Sequence, residues 1–203
     1  MIFILIPIAM MTGLAALYRI KRSGGSLKGT PFAACGMVAG AAAFIFAGSM
    51  FINYEMRYRS FKVPTASMYP AIKSKDRIVA DLRAYEAKDP QRGEIVVYEL
   101  LHDGKRRLMC KRVVGLPGEA IEIRSGKVYV NGAPVEMPNL PKGILYSNGG
   151  ALGMGGKPVK IPENAYYLIG DNPDRSFDSR QHGPVDRKDI KGKYIFSYKG
   201  IIN

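Results

Sequence analysis

The first 52 residues of this 203-residue chain contain no aspartate or glutamate, and all 17 acidic residues lie beyond them. Only four of the 30 Lys and Arg residues fall in the same stretch, so most of the formal net charge of +13 belongs to the remainder. A long apolar stretch with so few charges is typical of membrane-spanning helices. The sequence therefore predicts an apolar anchor joined to a basic polar domain.

Cysteine and histidine are scarce, with two of each. A disulfide between Cys35 and Cys110 would have to join the membrane interior to the polar domain, so we expect two free thiols. The metalloprotease pattern His-Glu-x-x-His and the nucleophile elbow Gly-x-Ser-x-Gly are absent, and neither His102 nor His182 lies in a recognisable triad motif. Lysine must therefore be considered as a catalytic base.

Nucleic-acid-binding signatures are also missing, although the chain is basic. We find no zinc-finger spacing, no aromatic pattern of an RNA-binding sheet and no concentrated block of Lys and Arg. We therefore predict no nucleic-acid partner, and we favour contact of the basic domain with lipid headgroups. A glycine-rich stretch within residues 138–162 lacks the Gly-Lys-Ser/Thr of a phosphate-binding loop, which favours a loop or lid.

Two apolar segments, residues 1–18 and 31–52, are predicted to be transmembrane helices. A buried or interfacial helix is the alternative for the first. The loop at 19–30 carries four basic residues, against three just beyond the second segment, so the positive-inside rule places this loop in the cytoplasm. Residues 53–203 would then form an extracytoplasmic domain, with a Gly/Pro-rich insertion at about 138–162.

The polar domain shows no long helical period, but it contains short runs rich in β-branched and aromatic residues. Turn signals at Ser125-Gly126 and Asn131-Gly132 separate some of these runs. We therefore predict an all-β domain. The predicted strands cover residues 77–80, 94–98, 108–114, 120–123, 127–130, 165–169 and 194–198.

Ser67 and Lys111 could form a nucleophile and its base without a histidine. Prolines and small residues flank Ser67, which predicts a rigid turn, and a serine hydroxyl needs a nearby base to become nucleophilic. Lys111 lies in a mostly apolar segment, where burial would lower the pKa of its amine. We expect neighbouring Arg112 to add like-charge repulsion. Taken alone, each residue is more often an ordinary turn serine or a surface lysine.

Four ordered segments, residues 61–70, 93–98, 111–119 and 170–180, resemble the sequence motifs of bacterial type I signal peptidases. Two membrane segments ahead of a β-rich domain are also that family's layout, so the resemblance covers essentially the whole chain. It implies a mainly β fold, in which an antiparallel β-sheet catalytic domain of signal-peptidase type follows two N-terminal transmembrane helices. Lysine at position 111 resembles the bacterial Ser/Lys form, since the endoplasmic-reticulum relatives have histidine there.

Carried over to this sequence, the resemblance makes Ser67 the acylating nucleophile and Lys111 the general base. The Thr65 hydroxyl and the backbone N–H of Ser67 would form the oxyanion hole. Many family members have serine at the Thr65 position; threonine keeps the hydroxyl but is stiffer at its first torsion. Ser176 would hydrogen-bond to the lysine and orient it.

The resemblance also assigns supporting and substrate-binding residues. Asp178 and Arg180 would form a structural ion pair that supports the loop bearing Ser176, and Gly170 and Asp171 would form the turn that brings this loop to the site. The pockets for the substrate would be lined by Phe61, Val63, Met68, Ile72, Met109 and Cys110.

The implied activity is that of a membrane-bound serine endopeptidase. It would remove signal peptides from exported preproteins, cutting after small residues at the positions one and three before the scissile bond. The implied location is the bacterial cytoplasmic membrane, which the chain would cross more than once. We expect preproteins and membrane lipids as partners, with no metal or cofactor. Two alternatives stay open: a dedicated conjugation or pilus peptidase with one substrate, and an inactive membrane-tethered β domain that binds peptides.

Overall fold

The computed structural model describes residues 2–24, 30–135, 137, 144–146, 152–153 and 157–199. Most of the predicted insertion at 138–162 therefore lies outside the described residues. The helices are α1 (Ile2–Arg22), α2 (Thr30–Arg57) and α3 (Ser179–His182). The strands are β1 (Tyr58–Lys62), β2 (Arg77–Asp81), β3 (Ile95–His102), β4 (Lys105–Gly115), β5 (Ala120–Arg124), β6 (Lys127–Val130), β7 (Ala133–Pro134), β8 (Val159–Lys160), β9 (Ala165–Ile169), β10 (Val185–Asp186) and β11 (Ile190–Tyr198).

Residues 1–56 form one compact unit, which contains α1 and most of α2. Three of the basic residues predicted to lie in a loop belong instead to the last turn of α1, where they face the negative end of the helix dipole. Within the described residues, one segment, Ala34–Arg57, is long and apolar enough to cross a membrane. The second predicted span thus coincides with a helix of suitable length, whereas a pair of transmembrane helices is not confirmed.

Residues 57–203 form the second unit, and its larger sheet contains seven strands in the order β1-β2-β11-β3-β4-β9-β10. Every neighbouring pair is antiparallel, so β1 and β4 run in the same sense. Strand β9 pairs with β4 only from Arg112 to Gly115. In the described part of the chain, the first half of β4 and the outer side of β1 are therefore open sheet edges.

The smaller sheet has four antiparallel strands in the order β7-β6-β5-β8. Ser125 and Gly126, at φ 49° and 74°, connect β5 to β6, and Asn131 and Gly132, at φ 51° and 83°, connect β6 to β7. Two consecutive residues with positive φ are the signature of the tight turns that match strand twist. Both predicted turns are confirmed.

The mainly antiparallel β fold is confirmed, and each predicted run lies within an observed strand or overlaps one closely. Strand β9 is buried along its whole length, as its continuous apolar sequence indicates. Strand β1 was not predicted as a strand. Only two of its five residues are partly buried and the rest are exposed, so its sequence carries little of the apolar pattern that marks a strand. Its identity depends on pairing with β2, which a single-sequence pattern does not reveal.

Candidate active site

Ser67 lies in the turn that follows β1. The antiparallel pairing of β1 continues one residue beyond the strand, where the Val63 amide donates to the Asp76 carbonyl at 2.9 Å. The chain then turns, with the Tyr69 amide donating to the Ala66 carbonyl at 3.1 Å. Ser67 is buried, at 6% exposure. The predicted turn is therefore present, and it holds Ser67 in a buried position.

Lys111 reaches this hydroxyl from β4. Its Nζ atom lies 2.9 Å from Ser67 Oγ and donates to the Cys110 carbonyl at 3.1 Å. Lys111 is only 2% exposed, and its backbone pairs with Val96 of β3. Residues that are 44 positions apart in sequence thus meet in a buried hydrogen bond.

Burial is the main cause that lowers the pKa of Lys111 below the usual lysine value. Carboxylates of Asp178 and Asp171 act in the opposite direction, and the Arg180 guanidinium lowers the pKa further. Among the described residues, no carboxylate forms an ion pair with Lys111. A buried amine without a counter-ion is suited to losing its proton and acting as a base.

The expectation that Arg112 repels Lys111 is wrong. Successive side chains of a strand point to opposite faces, and Arg112 lies on the side away from the serine. There it donates to both carboxylate oxygens of Asp171, at 2.8 and 2.6 Å, and to the Gly93 carbonyl at 2.7 Å. Both members of this ion pair are buried. The pair fastens β4 to the segment that leads to Ser176.

Ser176 belongs to a second buried network. Its hydroxyl donates to Asp178 Oδ2 at 2.6 Å, and the same oxygen accepts from the Gly170 amide at 2.9 Å. Arg180 donates to both oxygens of Asp178 at 2.9 Å, and both side chains are fully buried. Neither of the two hydrogen bonds described for the Lys111 amine goes to Ser176. Because the Ser176 hydroxyl donates its proton to Asp178, the Ser176 oxygen can only accept further hydrogen bonds.

Gly170 lies against both serines. A Cβ atom at this position would overlap Ser176 Oγ and approach the Ser67 carbonyl oxygen to 2.5 Å. Any larger residue would force the segment bearing Ser176 away from the turn bearing Ser67. Glycine is therefore required here for close approach of two chain segments, not for an unusual backbone angle.

Asn172 links these two segments through hydrogen bonds, and it was not among the residues predicted for the site. Its side-chain amide donates to the Ala66 carbonyl at 3.0 Å, and its backbone amide donates to the Ser67 carbonyl at 3.1 Å. The available signal was its position inside the motif at 170–180. A polar side chain with no expected chemical role gave no reason to select it.

Thr65 lies beside the nucleophile position. Its Oγ1 atom is 3.2 Å from Ser67 Oγ, within hydrogen-bond distance. This places a second hydroxyl at the mouth of the turn, two residues before the serine. The arrangement is compatible with a donor aimed at charge that develops next to Ser67.

A cavity of about 460 Å³ contains the side chains of Ser67, Lys111 and Thr65. Of the six residues predicted to bind substrate, all but Ile72 line it. Ile72 is fully buried and packs in the core with Met68. The five that line the cavity are Phe61, Val63, Met68, Met109 and Cys110.

Cys110 and the two histidines take other positions. Burial raises the pKa of the Cys110 thiol to about 12, which opposes formation of a nucleophilic thiolate. His102 packs on Phe177, with 4.7 Å between ring centroids, and the Phe177 ring lies 5.4 Å from that of His182. The hydrogen-bond partners described for Ser67 Oγ are Lys111 and Thr65, so neither histidine serves it as a base.

Comparison with known proteins gives a family match over most of the chain. The family model described as signal peptidase, peptidase S26, matches residues 36–199. The chain is 34% identical over 143 residues to a probable signal peptidase I-2 of Synechocystis sp., which covers 68% of this chain and 60% of the relative. It is 31% identical over 150 residues to signal peptidase I of Leptolyngbya laminosa, covering 71% of this chain and 68% of the relative.

The chain thus spans less than two thirds of the length of the Synechocystis relative. Among solved structures, the crystal structure of a signal peptidase I from Enterococcus faecalis V583 is 29% identical to it. That similarity has a TM-score of 0.41 and covers 52% of this chain and 97% of the other.

Proposed function

The chain belongs to the signal peptidase family, peptidase S26, and on that premise we propose that it is a membrane-bound serine endopeptidase that removes signal peptides from exported preproteins. The observation that carries the proposal is the buried contact of 2.9 Å between Lys111 Nζ and Ser67 Oγ. A nucleophile and a base within hydrogen-bond distance are the minimum requirement for acyl-transfer chemistry.

In the proposed mechanism, neutral Lys111 accepts the proton of the Ser67 hydroxyl as Oγ attacks the scissile carbonyl carbon. The oxyanion that forms accepts hydrogen bonds from Thr65 and from the backbone N–H of Ser67, which contribute roughly 3–4 kcal/mol each in comparable sites. Protonated Lys111 then gives its proton to the leaving amine as the C–N bond breaks. Lys111 then takes a proton from a water molecule that attacks the ester, and it returns that proton to Ser67 Oγ as the ester C–O bond breaks, which releases the carboxyl product and restores Ser67.

Ser176 acts in this mechanism as a positioning residue. Because its proton is donated to Asp178, its oxygen can only accept, and an acceptor is what the protonated lysine amine needs once Ser67 has reacted. Movement of Lys111 toward Ser176 during proton transfer would keep the amine bound while Ser67 reacts. The Asp178–Arg180 pair and Gly170 fix the position of Ser176.

The open edges of β1 and β4 support an extended substrate. Each offers unpaired backbone groups, and an extended peptide between them would gain strand-like hydrogen bonds. Side chains at alternate positions would then enter the cavity lined by Val63, Met68 and Met109. This supports recognition of small residues at the positions one and three before the scissile bond.

We further propose a topology with two membrane spans, at residues 1–18 and 31–52, a cytoplasmic loop at 19–30 and an extracytoplasmic domain at 53–203. The apolar segment Ala34–Arg57 supports the second span, and the basic residues at the end of α1 support a cytoplasmic loop. Cysteines introduced at positions 25 and 149 should react with impermeant reagents from opposite sides of the membrane. Reaction from the same side would overturn this topology.

The activity is tested by incubating the full chain in neutral detergent with a preprotein and identifying the products by mass spectrometry. Ser67→Ala and Lys111→Ala should abolish cleavage. Ser60→Ala and Lys105→Ala, which alter exposed residues that do not line the cavity, should cleave normally. Retained activity in either of the first two variants would overturn the dyad. A panel of unrelated preproteins distinguishes a general peptidase, which cleaves several, from a dedicated one, which cleaves one.

A further inference from the structure

The cavity that contains Ser67 and Lys111 has a basic rim, formed by Lys62, His102 and Arg107. Among the described residues that line the cavity, none is Asp or Glu. The walls between this rim and the lysine are mainly apolar. A substrate segment that enters here would therefore meet the positive charges of Lys62 and Arg107 and no carboxylate among the described lining residues.

Lys62 and Arg107 of this rim belong to β1 and β4. Strands β1 and β4 run in the same sense, so residues that precede Ser67 and Lys111 extend in the same direction from the site. Lys62 precedes Ser67 by five residues, and Arg107 precedes Lys111 by four. Four residues of extended chain cover about 13 Å. Lys62 and Arg107 thus both line the cavity, at the end of β1 and within β4, on strands that lead toward the reaction centre in the same direction.

Neighbouring acidic side chains pair with residues other than Lys62 and Arg107. Glu99 accepts from Arg106 at 3.2 Å and lies 3.6 Å from the amine of Lys191. Asp103 lies 3.3 Å from His102. Lys62 and Arg107 are exposed, and neither forms an ion pair within the described part of the chain. They are the two rim cations that remain available to a ligand.

We propose that Lys62 and Arg107 select substrates with a carboxylate side chain four or five residues before the scissile bond, and that they disfavour lysine or arginine there. This inference rests on the proposed peptidase function and adds a specificity determinant to it. Exposed ion pairs are individually weak, so two cations acting on one carboxylate should give about a fivefold preference for Asp over Asn. Salt should reduce the preference, because both cations are exposed to solvent.

The test uses the full chain in neutral detergent and peptides that differ only at the fourth or fifth position before the cut, with Asp, Asn or Lys. We expect kcat/KM to follow the order Asp, Asn, Lys at low salt, and the differences to shrink at 0.5 M NaCl (about a 4 Å screening length). In the double variant Lys62→Gln/Arg107→Gln the Asp peptide should fall to the level of the Asn peptide. Equal rates for Asp and Asn in the unmodified chain would overturn the inference.

A matched control removes the same charge from the same two strands. Arg59→Gln/Lys105→Gln alters exposed cations of β1 and β4 that do not line the cavity, and it should keep the Asp preference. If both double variants lose the preference equally, general charge rather than the rim is responsible, and the inference fails. It also fails if Lys62→Gln/Arg107→Gln loses binding to phosphatidylglycerol vesicles but keeps the peptide preference, since the rim then serves lipid.

A binding measurement distinguishes failure of this inference from failure of the proposed function. Fluorescence anisotropy with the Ser67→Ala variant should show tighter binding of the labelled Asp peptide than of the Asn peptide. Binding with this preference but no cleavage by the unmodified chain would support the rim and overturn the peptidase assignment. Cleavage by the unmodified chain without any preference between the Asp and Asn peptides would support the peptidase function and overturn the role of the rim.

Discussion

Lys111 and Arg112 are adjacent on one strand and each is only 2% exposed, yet their hydrogen-bond partners on the two faces of β4 differ in charge. Arg112 meets both oxygens of a buried carboxylate, Asp171. Lys111 meets a hydroxyl and a carbonyl and has no carboxylate partner within the described residues. A guanidinium stays charged wherever it is buried and therefore needs a buried carboxylate, whereas an amine can become neutral when no carboxylate faces it. Burial lowers the pKa of Lys111, and the absence of an ion-pair partner among the described residues leaves that effect unopposed at close range.

The largest expected effect is that of Lys111→Arg, which would place an arginine on both faces of β4. A guanidinium at this position cannot give up its proton, so the base is lost while the positive charge stays. We expect kcat to fall by at least ~10³-fold, the scale of general-base catalysis. Single-turnover cleavage assays measure this, with Lys105→Arg as a control that keeps activity. Activity within tenfold of the unmodified chain would show that Lys111 is not the base.

The converse change, Asp171→Asn, removes the carboxylate partner of Arg112. Arg112 would then be a buried cation without a counter-ion, as protonated Lys111 is within the described residues. An arginine cannot respond by becoming neutral, so the buried charge would stay uncompensated and the free energy of unfolding should fall by ~3–5 kcal/mol. Urea denaturation of the full chain in detergent measures the loss, and the exposed Asp103→Asn should show none. The double variant Arg112→Met/Asp171→Leu should recover most of the stability. A stable Asp171→Asn protein would contradict the importance of this pair.

An intermediate effect of opposite sign is expected for Lys111→Met, which should stabilise the fold. The pKa of folded Lys111 lies below its unfolded value, so burying the ammonium opposes folding most strongly below the folded pKa. As the pH rises through that pKa toward the unfolded value, the penalty disappears. At pH 6 we expect Lys111→Met to gain about 1–3 kcal/mol, and the gain should shrink as the pH rises. A gain that grows with pH would contradict a lowered pKa.

The smallest expected effect is that of Arg112→Lys, which keeps the charge and loses the two-pronged contact with Asp171. Loss of one charge-assisted hydrogen bond should lower the free energy of unfolding by roughly 1.5 kcal/mol. Because Lys111 and Ser67 are untouched, kcat should change less than threefold. Thermal denaturation and cleavage assays on the same sample check both values. A loss of activity without a loss of stability would place Arg112 in the chemistry.

Much of the site followed from the sequence, because apolar strands and short motifs encode it locally. Residues 127–130 and 165–169 were predicted with the bounds that β6 and β9 have. The alternation of side chains along a strand already places Arg112 on the face opposite Lys111, so the sequence itself gave reason not to expect repulsion between them. Contacts across the chain were harder, since Ser67 and Lys111 were paired from their chemistry and from resemblance to a family, and no residue period reports that two distant segments meet.

Loop side chains were the least predictable part of the site. Ser176 was expected to bind the lysine; the contact described for its hydroxyl is donation to Asp178, and its role toward the lysine stays a proposal. Ile72 was expected in the substrate pocket, whereas it packs in the core. In both cases the direction of a side chain outside regular strands decides the contact, and no residue period reports that direction. Asn172 was missed for the same reason.

Gly170 sets a limit on how this site can change over evolutionary time. A substitution there would add atoms between two segments that meet through Ser176 and the Ser67 carbonyl, so even alanine requires the site to open. The exposed cations of the rim have no such constraint, since Lys62 and Arg107 can be replaced without disturbing a buried neighbour. Descendants of this chain can therefore acquire new substrates at the rim while inheriting the same reaction centre.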